Sequence, residues 1–373
     1  MGIHAMPLPT PARAERRIEL DIGKGIAVLL MICAHVQEMY SQPAVQKSFF
    51  GCVMTLMTTF PVAPLFMFAM GVGAAYSRNQ DAPYAVSRGG VLLLTAYLLN
   101  ALRAYIPWWL GLKAGLLPAE TIPKGNVVLT LLEADILQFA GLSLIFIGGL
   151  RAVKAPWGAY LVTAVLPGLL NYLVRGASTG HPVADAILGL FWGTGDTSRF
   201  PFLSWAFYPL VGVAFGTLLR RSEDKTRFHL YSLLGGCAVF LVSAWLVGFR
   251  VLGYLGIPEP YAYRHQGLMG NVLIGSLTLT WVSSLYFLQG VFPATILERL
   301  RIWSRNLTKI YIVHWVFIGW FALLVGFNRM SYWHTILTVV LVVIVADRLG
   351  TPFAPPFPSR TRSFPRVSRH LRA

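Results

Sequence analysis

Asp21, Lys24 and His35 are the first residues of this chain whose types and spacing could do chemistry, because they stand at the two ends of one apolar helix. From Lys24 to His35 is about 16 Å of helix at 1.5 Å per residue, and Ile26 to Ala34 between them carry no charge. Ionisable side chains kept in such a segment are costly, which makes them functional candidates by default. Asp135, in LLEADILQFAGL, and His314, in LTKIYIVHW, fall in later apolar runs at a depth comparable to that of His35, with Glu133 one step shallower. Imidazole titrates near neutrality, and a carboxylate can orient it and stabilise its cation, so His35 with Asp135 suits general-base work. Each histidine could equally be a polar group satisfied inside a bundle.

The remaining charges point elsewhere. Asp21 and Lys24 lie one helical turn apart and can pair with each other, a structural role. Arg88 opens a third apolar run, and together with Arg78, Arg151, Lys154 and the cluster from Arg220 to Arg227 it could hold a polyanionic ligand. Cys33, Cys52 and Cys237 sit in or beside apolar runs without metal-ligand spacing and read as small hydrophobes. No Walker loop, GxGxxG, HExxH or CxxC is present, so nucleotide hydrolysis and zinc chemistry have no support and no metal is expected.

The elements that must position these residues are membrane helices. The chain has 373 residues, 55% of them hydrophobic and 12% charged, with mean hydropathy +0.60, far from the quarter of charged residues in a soluble domain. Apolar segments able to cross a ~30 Å core fall at 22–40, 50–77, 88–106, 127–150, 156–174, 200–219, 229–249, 267–290, 306–326 and 331–349, the second kinked by Pro61 and Pro64. The fold expected is therefore an all-α polytopic membrane protein of about ten helices. A short N-terminal tail (1–19) precedes a membrane domain (20–349), and a Pro- and Arg-rich tail (350–373) that reads as disordered follows it. With the N-terminus inside, the inner connections collect 22 of the 31 Lys and Arg, so both termini are expected in the cytoplasm. The net charge of +16 is then explained by basic loops, and nucleic acid is not an expected partner. Three outer connections, 107–126, 175–199 and 250–266, are long and carry Trp108, Trp109, Trp192, Tyr254, Tyr261 and Tyr263. These form an interfacial aromatic belt or, alternatively, a platform for sugar rings. No inverted internal repeat is evident.

The opening R-x-x-x-L-D-x-x-K-G-I-A-x-x-x-M-x-x-x-H of Arg16 to His35 resembles the first helix of the integral-membrane acyltransferases, the group containing acyltransferase family 3 and the heparan-α-glucosaminide N-acetyltransferase-like proteins. Pro64 to Gly71 (PLFMFAMG), Asp135 to Leu142 (DILQFAGL), Phe200 to Gly216 (FPFLSWAFYPLVGVAFG) and Leu307 to His314 (LTKIYIVH) are similar to later family stretches in the same order. The resemblance implies a membrane enzyme passing an acyl group, acetyl first, from cytoplasmic acyl-CoA to a saccharide or glycolipid on the opposite face of a plasma (bacterial inner) membrane. It makes His35 the catalytic residue, here assisted by Asp135, with Arg88, Lys24, Arg78 and Arg151 as candidates for holding acetyl-CoA and Asp21, Gln138 and His314 as further candidates. Lys24 stands where many members have Arg, which keeps a charge but loses a bidentate grip. The rival reading is a proton-coupled transporter or lipid-linked sugar flippase, with His35, Asp135 and His314 as a relay.

Overall fold

The computed structural model describes residues 17–60, 62–121, 126–195, 197–255 and 261–351. Among them it is helical throughout, with two isolated bridges, Ser41 with Met330 and Ala134 with Ser198, as the extended pairings. The principal helices are α1 (Ile18–Tyr40), α2 (Phe49–Thr59), α3 (Ala63–Ala75), α4 (Ala82–Asn100), α5 (Ile136–Ala152), α6 (Trp157–Val174), α7 (Phe207–Arg221), α8 (Lys225–Val247), α9 (Leu268–Leu288), α10 (Ala294–Arg305), α11 (Leu307–Val325) and α12 (Tyr332–Gly350). Eight helical stretches among the described residues are long and apolar enough to cross a membrane. Two of the ten expected segments, α1 and α5, fall outside those eight. α5 has only 17 residues, and α1 carries Glu19, Asp21, Lys24 and Glu38. α1 tolerates that load because protein surrounds it: it packs against α2, α3, α9, α10, α11 and α12, so its polar groups meet side chains where a lipid-facing helix would meet hydrocarbon.

Three expected segments are cut differently, each for a local reason. The segment 50–77 divides into α2 and α3. Pro64 sits in the first turn of α3, where a missing N–H costs nothing, and Pro61 lies outside the described residues. The segment 88–106 is longer than expected, since α4 continues through a π-turn at Ala101–Tyr105 into Ile106–Lys113. The π-turn leaves the Leu102 carbonyl free to accept from the Trp320 indole at 3.0 Å, and it brings the Arg103 backbone onto Gly319 of α11, a contact that a Cβ at Gly319 would forbid. The segment 127–150 is not one helix: a short turn, Val128–Leu131, ends before Asp135, which caps α5. Most of the two expected tails, residues 1–16 and 352–373, lies outside the described residues.

Packing is also close where α3 meets α7. A side chain at Gly71 would run into the Pro209 carbonyl, and one at Gly212 into the Phe68 carbonyl. Small residues at such crossings let helices approach where the hydrophobic effect cannot drive them together. The same core buries Tyr40, Phe139, Trp205 and Tyr208 and runs up to the C-terminal ends of α1 and α11.

Candidate functional site

α1 and α11 bring His35 and His314 together, 279 positions apart in sequence: Nδ1 of His35 lies 2.8 Å from Nε2 of His314, with the rings nearly coplanar in orientation at 6°. The proton positions follow from the third partner. Nδ1 of His314 is 2.9 Å from the Ile310 carbonyl; a carbonyl only accepts, so that nitrogen donates and Nε2 of His314 is left as an acceptor. His35 must then donate through Nδ1, and its own Nε2 keeps a lone pair. Nε2 of His35 has no hydrogen-bond partner among the described residues, and His35 lines a cavity of about 660 Å³. Trp315 packs beside the ring at 4.2 Å between centroids and fixes its plane. A basic nitrogen held by a buried neighbour and open to a cavity is the arrangement a general base or nucleophile needs.

Asp135 also lines this cavity, but its carboxylate is engaged elsewhere. Oδ1 accepts the backbone N–H of Ile136 at 2.7 Å. Oδ2 lies 2.6 Å from Arg103 Nη1 and accepts the Tyr311 hydroxyl at 2.9 Å. Gln138 completes a capping box by accepting the Asp135 N–H at 3.2 Å, which accounts for its place in the motif. The expectation that Asp135 orients His35 is therefore corrected in detail: His314 occupies that position, and Asp135 anchors Arg103 and Tyr311. Arg103 is buried, donates to Asn100 at 3.1 Å, reaches Glu133 at 3.3 Å and stacks over Trp315 at 4.4 Å.

Two of the long connections reach this cavity, through Arg199 and through Tyr263 and Arg264. Arg199 pairs with Glu133 and, at 2.6 Å, with Glu38, while Arg264 reaches the same Glu38 oxygen at 2.8 Å. Burial opposes the Arg199 charge, but Glu38, Glu133 and Asp135 outweigh it and hold the guanidinium's affinity for its proton well above the usual value. Of the six aromatics marked in these connections, Tyr263 alone lines the cavity, and its hydroxyl donates to the Thr59 carbonyl at 2.6 Å. Trp108 packs on Phe327, Trp192 donates to the Ala177 carbonyl, and the side chain of Tyr261 lies outside the described residues. Thr55, Thr58, Thr59, Gln37 and Phe200 complete a lining of hydroxyls, amides and aromatic faces.

A second cavity, of about 430 Å³, lies toward the other end of the bundle. Its walls are apolar, from Phe66, Met67, Met70, Leu92, Leu137 and Leu144, and Arg88 and Arg151 are its two cationic groups. Arg88 is exposed above the Tyr84 ring at 5.7 Å, and Arg151 donates to the Ala74 carbonyl at 2.7 Å. Arg78 and Lys24 line neither cavity. Lys24 pairs with Asp21 at 3.6 Å, whose Oδ1 accepts the Ser304 hydroxyl at 2.6 Å, a tie between α1 and α10. The wall between the cavities is about one helical turn thick: Phe66, Ile136 and Tyr311 face one, and Ala63, Asp135 and Trp315 face the other.

Arg103, Arg199, Arg264, Glu38 and Tyr311 were missed as site residues from sequence. Two signals were there to find: Arg103 is a lone charge within an apolar run, and Tyr311 stands three residues before His314 in the LTKIYIVH stretch.

Comparison with curated proteins gave no match. The model of the heparan-alpha-glucosaminide N-acetyltransferase catalytic domain matches residues 16–246, a range that holds His35, Arg88, Arg103, Asp135 and Arg199 and stops short of Tyr311 and His314. That range is well over half of a chain whose helices make it a multi-pass membrane protein, and the chain belongs to the family of heparan-alpha-glucosaminide N-acetyltransferase catalytic domains, membrane enzymes of the acetyltransferase type.

Proposed function

We propose that this protein transfers an acyl group, acetyl first, from acyl-CoA on the cytoplasmic side to a saccharide or glycolipid on the other side of a plasma membrane. The observation that carries the reading is the unpartnered Nε2 of His35, opening on a polar cavity one helical turn away from an apolar cavity that bears arginines. The excess of Lys and Arg in the connections at the Arg88 end supports a cytoplasmic location for that end by the positive-inside rule.

The apolar cavity fits part of acyl-CoA. A volume of about 430 Å³ is within the range of ligand sites and suits a pantetheine arm with its short acyl group, whereas a whole CoA needs more room. Arg88 and Arg151 are then the groups for its phosphates. The thioester supplies a carbonyl carbon open to attack, with a thiol as leaving group. On the acceptor side, hydroxyls of Thr55, Thr58 and Thr59 and the faces of Phe200 and Tyr263 suit a sugar ring. His35 takes the proton of the acceptor's hydroxyl or amine on Nε2. As the new bond to the acyl carbon forms and the C–S bond breaks, the proton passes from Nε2 to the departing sulfur. Throughout, His314 keeps the Nδ1 proton in place.

Two cavities parted by a thin wall also describe a transporter, the rival reading, and donor binding separates the two. A ligand bound only by the folded protein stabilises it by about 2.7 kcal/mol at a hundred times its Kd. Acyl-CoA therefore raises the melting temperature, and Arg88→Glu weakens that protection. An unchanged melting temperature with millimolar acyl-CoA would remove the donor from the account.

A further inference from the structure

The wall between the cavities is not uniform. Tyr311 lines the apolar cavity, its hydroxyl donates across the wall to Asp135 at 2.9 Å, and Asp135 lines the polar one. The Tyr311 ring stands 6.5 Å from the His35 ring and 5.4 Å from that of His314, edge-on to both. The pair Tyr311 and Asp135 thus joins the lining of one chamber to that of the other. Its partner is unable to move: Asp135 is held by the start of α5 through Ile136 and by Arg103, which is itself fixed by Asn100, Glu133 and Trp315. The Tyr311 ring hangs from α11 by its Cα–Cβ bond, is buried against the His35 and His314 rings, and is tied to Asp135 by this hydrogen bond. A fixed acceptor that holds its donor in the wall is how a latch is built.

We propose that Tyr311 is the partition between the donor and acceptor chambers, latched shut on Asp135, and that it keeps water of the acceptor side away from the donor until transfer. The inference rests on the acyltransferase reading for its purpose and on geometry alone for its existence. In the closed state the apolar chamber is sealed from the His35 side. When the ring turns, the acyl group gains a path to Nε2 of His35. Loss of the ring leaves that path open permanently. Water then reaches the thioester without an acceptor present: its oxygen bonds the acyl carbon, the C–S bond breaks, one proton goes to the departing sulfur and the free carboxylic acid is released. Tyr311 thereby acts as a positioning residue that sets the ratio of transfer to hydrolysis.

The test reads the partition itself. Met70 lines the apolar chamber, so Met70→Cys, in protein whose Cys33, Cys52 and Cys237 are serine, reports access to it. An impermeant maleimide is added to sealed vesicles from the face bearing Lys47 and Glu38, which flank the polar chamber. With Tyr311 intact the reporter stays unlabelled from that face; with Tyr311→Ala it labels at least tenfold faster. Tyr311→Phe keeps the ring and deletes the latch, so it labels at an intermediate rate and covers the case in which the alanine variant fails to fold. Acyl-CoA hydrolysis without acceptor rises in the same order. The labelling needs no acyl-CoA and so stands or falls apart from the acyltransferase reading. Equal labelling of the reporter with Tyr311 and with Tyr311→Ala, fast in both or absent in both, would overturn the proposal.

Discussion

Replacing His314 by phenylalanine and, separately, by glutamine asks whether that residue only fills space or sets the state of His35. Phenylalanine keeps a planar ring in the buried position but offers Nδ1 of His35 no acceptor. Glutamine can offer its carbonyl to His35 and its amide to the Ile310 carbonyl, reproducing both ends of the chain now spanned at 2.8 and 2.9 Å. A buried donor deprived of its partner costs about 1–3 kcal/mol. His35 escapes that cost by turning its ring or by moving the proton to Nε2, and either change withdraws the lone pair from the cavity. At about 1.36 kcal/mol per tenfold in rate, His314→Phe should lower kcat roughly 5- to 150-fold, and His314→Gln should recover most of that loss. The assay is the initial rate of acyl transfer at saturating acyl-CoA, with thermal protection by acyl-CoA measured on the same preparations. Equal loss in the two variants would assign His314 to packing alone, and a rate within twofold of the wild type in His314→Phe would refute the argument from proton positions.

Arg199→Met deprives Glu38 and Glu133 of the guanidinium they share, so the apparent KM for acceptor should rise and the melting temperature fall, while the acyl-CoA protection persists; kinetics with varied acceptor check this. Ser304→Ala removes the donor to Asp21 at 2.6 Å and should lower stability by about 1 kcal/mol without changing turnover per folded molecule, measured by thermal unfolding beside activity. Gly71→Val places a branched side chain against the Pro209 carbonyl, where α3 and α7 have no room to part, and should abolish detergent-stable, monodisperse protein on size exclusion. Cysteines at Lys113 and His181, in protein lacking the native three, should react with an impermeant reagent from outside intact cells and one at Glu223 only after lysis; reversed access would turn the proposed direction of transfer around.

Much of the architecture was legible because the bilayer demands long apolar runs, and the six expected segments from 156–174 to 331–349 overlap α6, α7, α8, α9, α11 and α12, whereas α10 falls in an expected connection. The errors fall where local chemistry competes with hydropathy. Asp135 reads as a charge within an apolar run, yet Asp-x-x-Gln is also an N-capping signal, and the cap starts α5 there. The π-turn at Ala101–Tyr105 has no composition that marks it, so nothing in the segment 88–106 signals that Arg103 is buried beside the site. His35 was readable from cost alone, because a histidine near the end of a membrane helix needs a reason. Its partner was not. Periodicity places residues on faces of one helix, whereas the pairings of His35 with His314, Glu38 with Arg264 and Asp135 with Tyr311 join residues 279, 226 and 176 positions apart. Only the packing of α1, α5 and α11 with one another and with the segment that carries Arg264 decides those.

The central claim is that His35 does the chemistry while the donor is held elsewhere, and His35→Ala measured two ways on one preparation tests it most directly. The imidazole does not line the apolar cavity, so acyl-CoA should still raise the melting temperature of the variant as it does that of the wild type. Transfer to acceptor should fall by roughly 10²- to 10⁴-fold, the contribution of a positioned acid or base. Acyl transfer retained at the wild-type rate in His35→Ala would contradict the account.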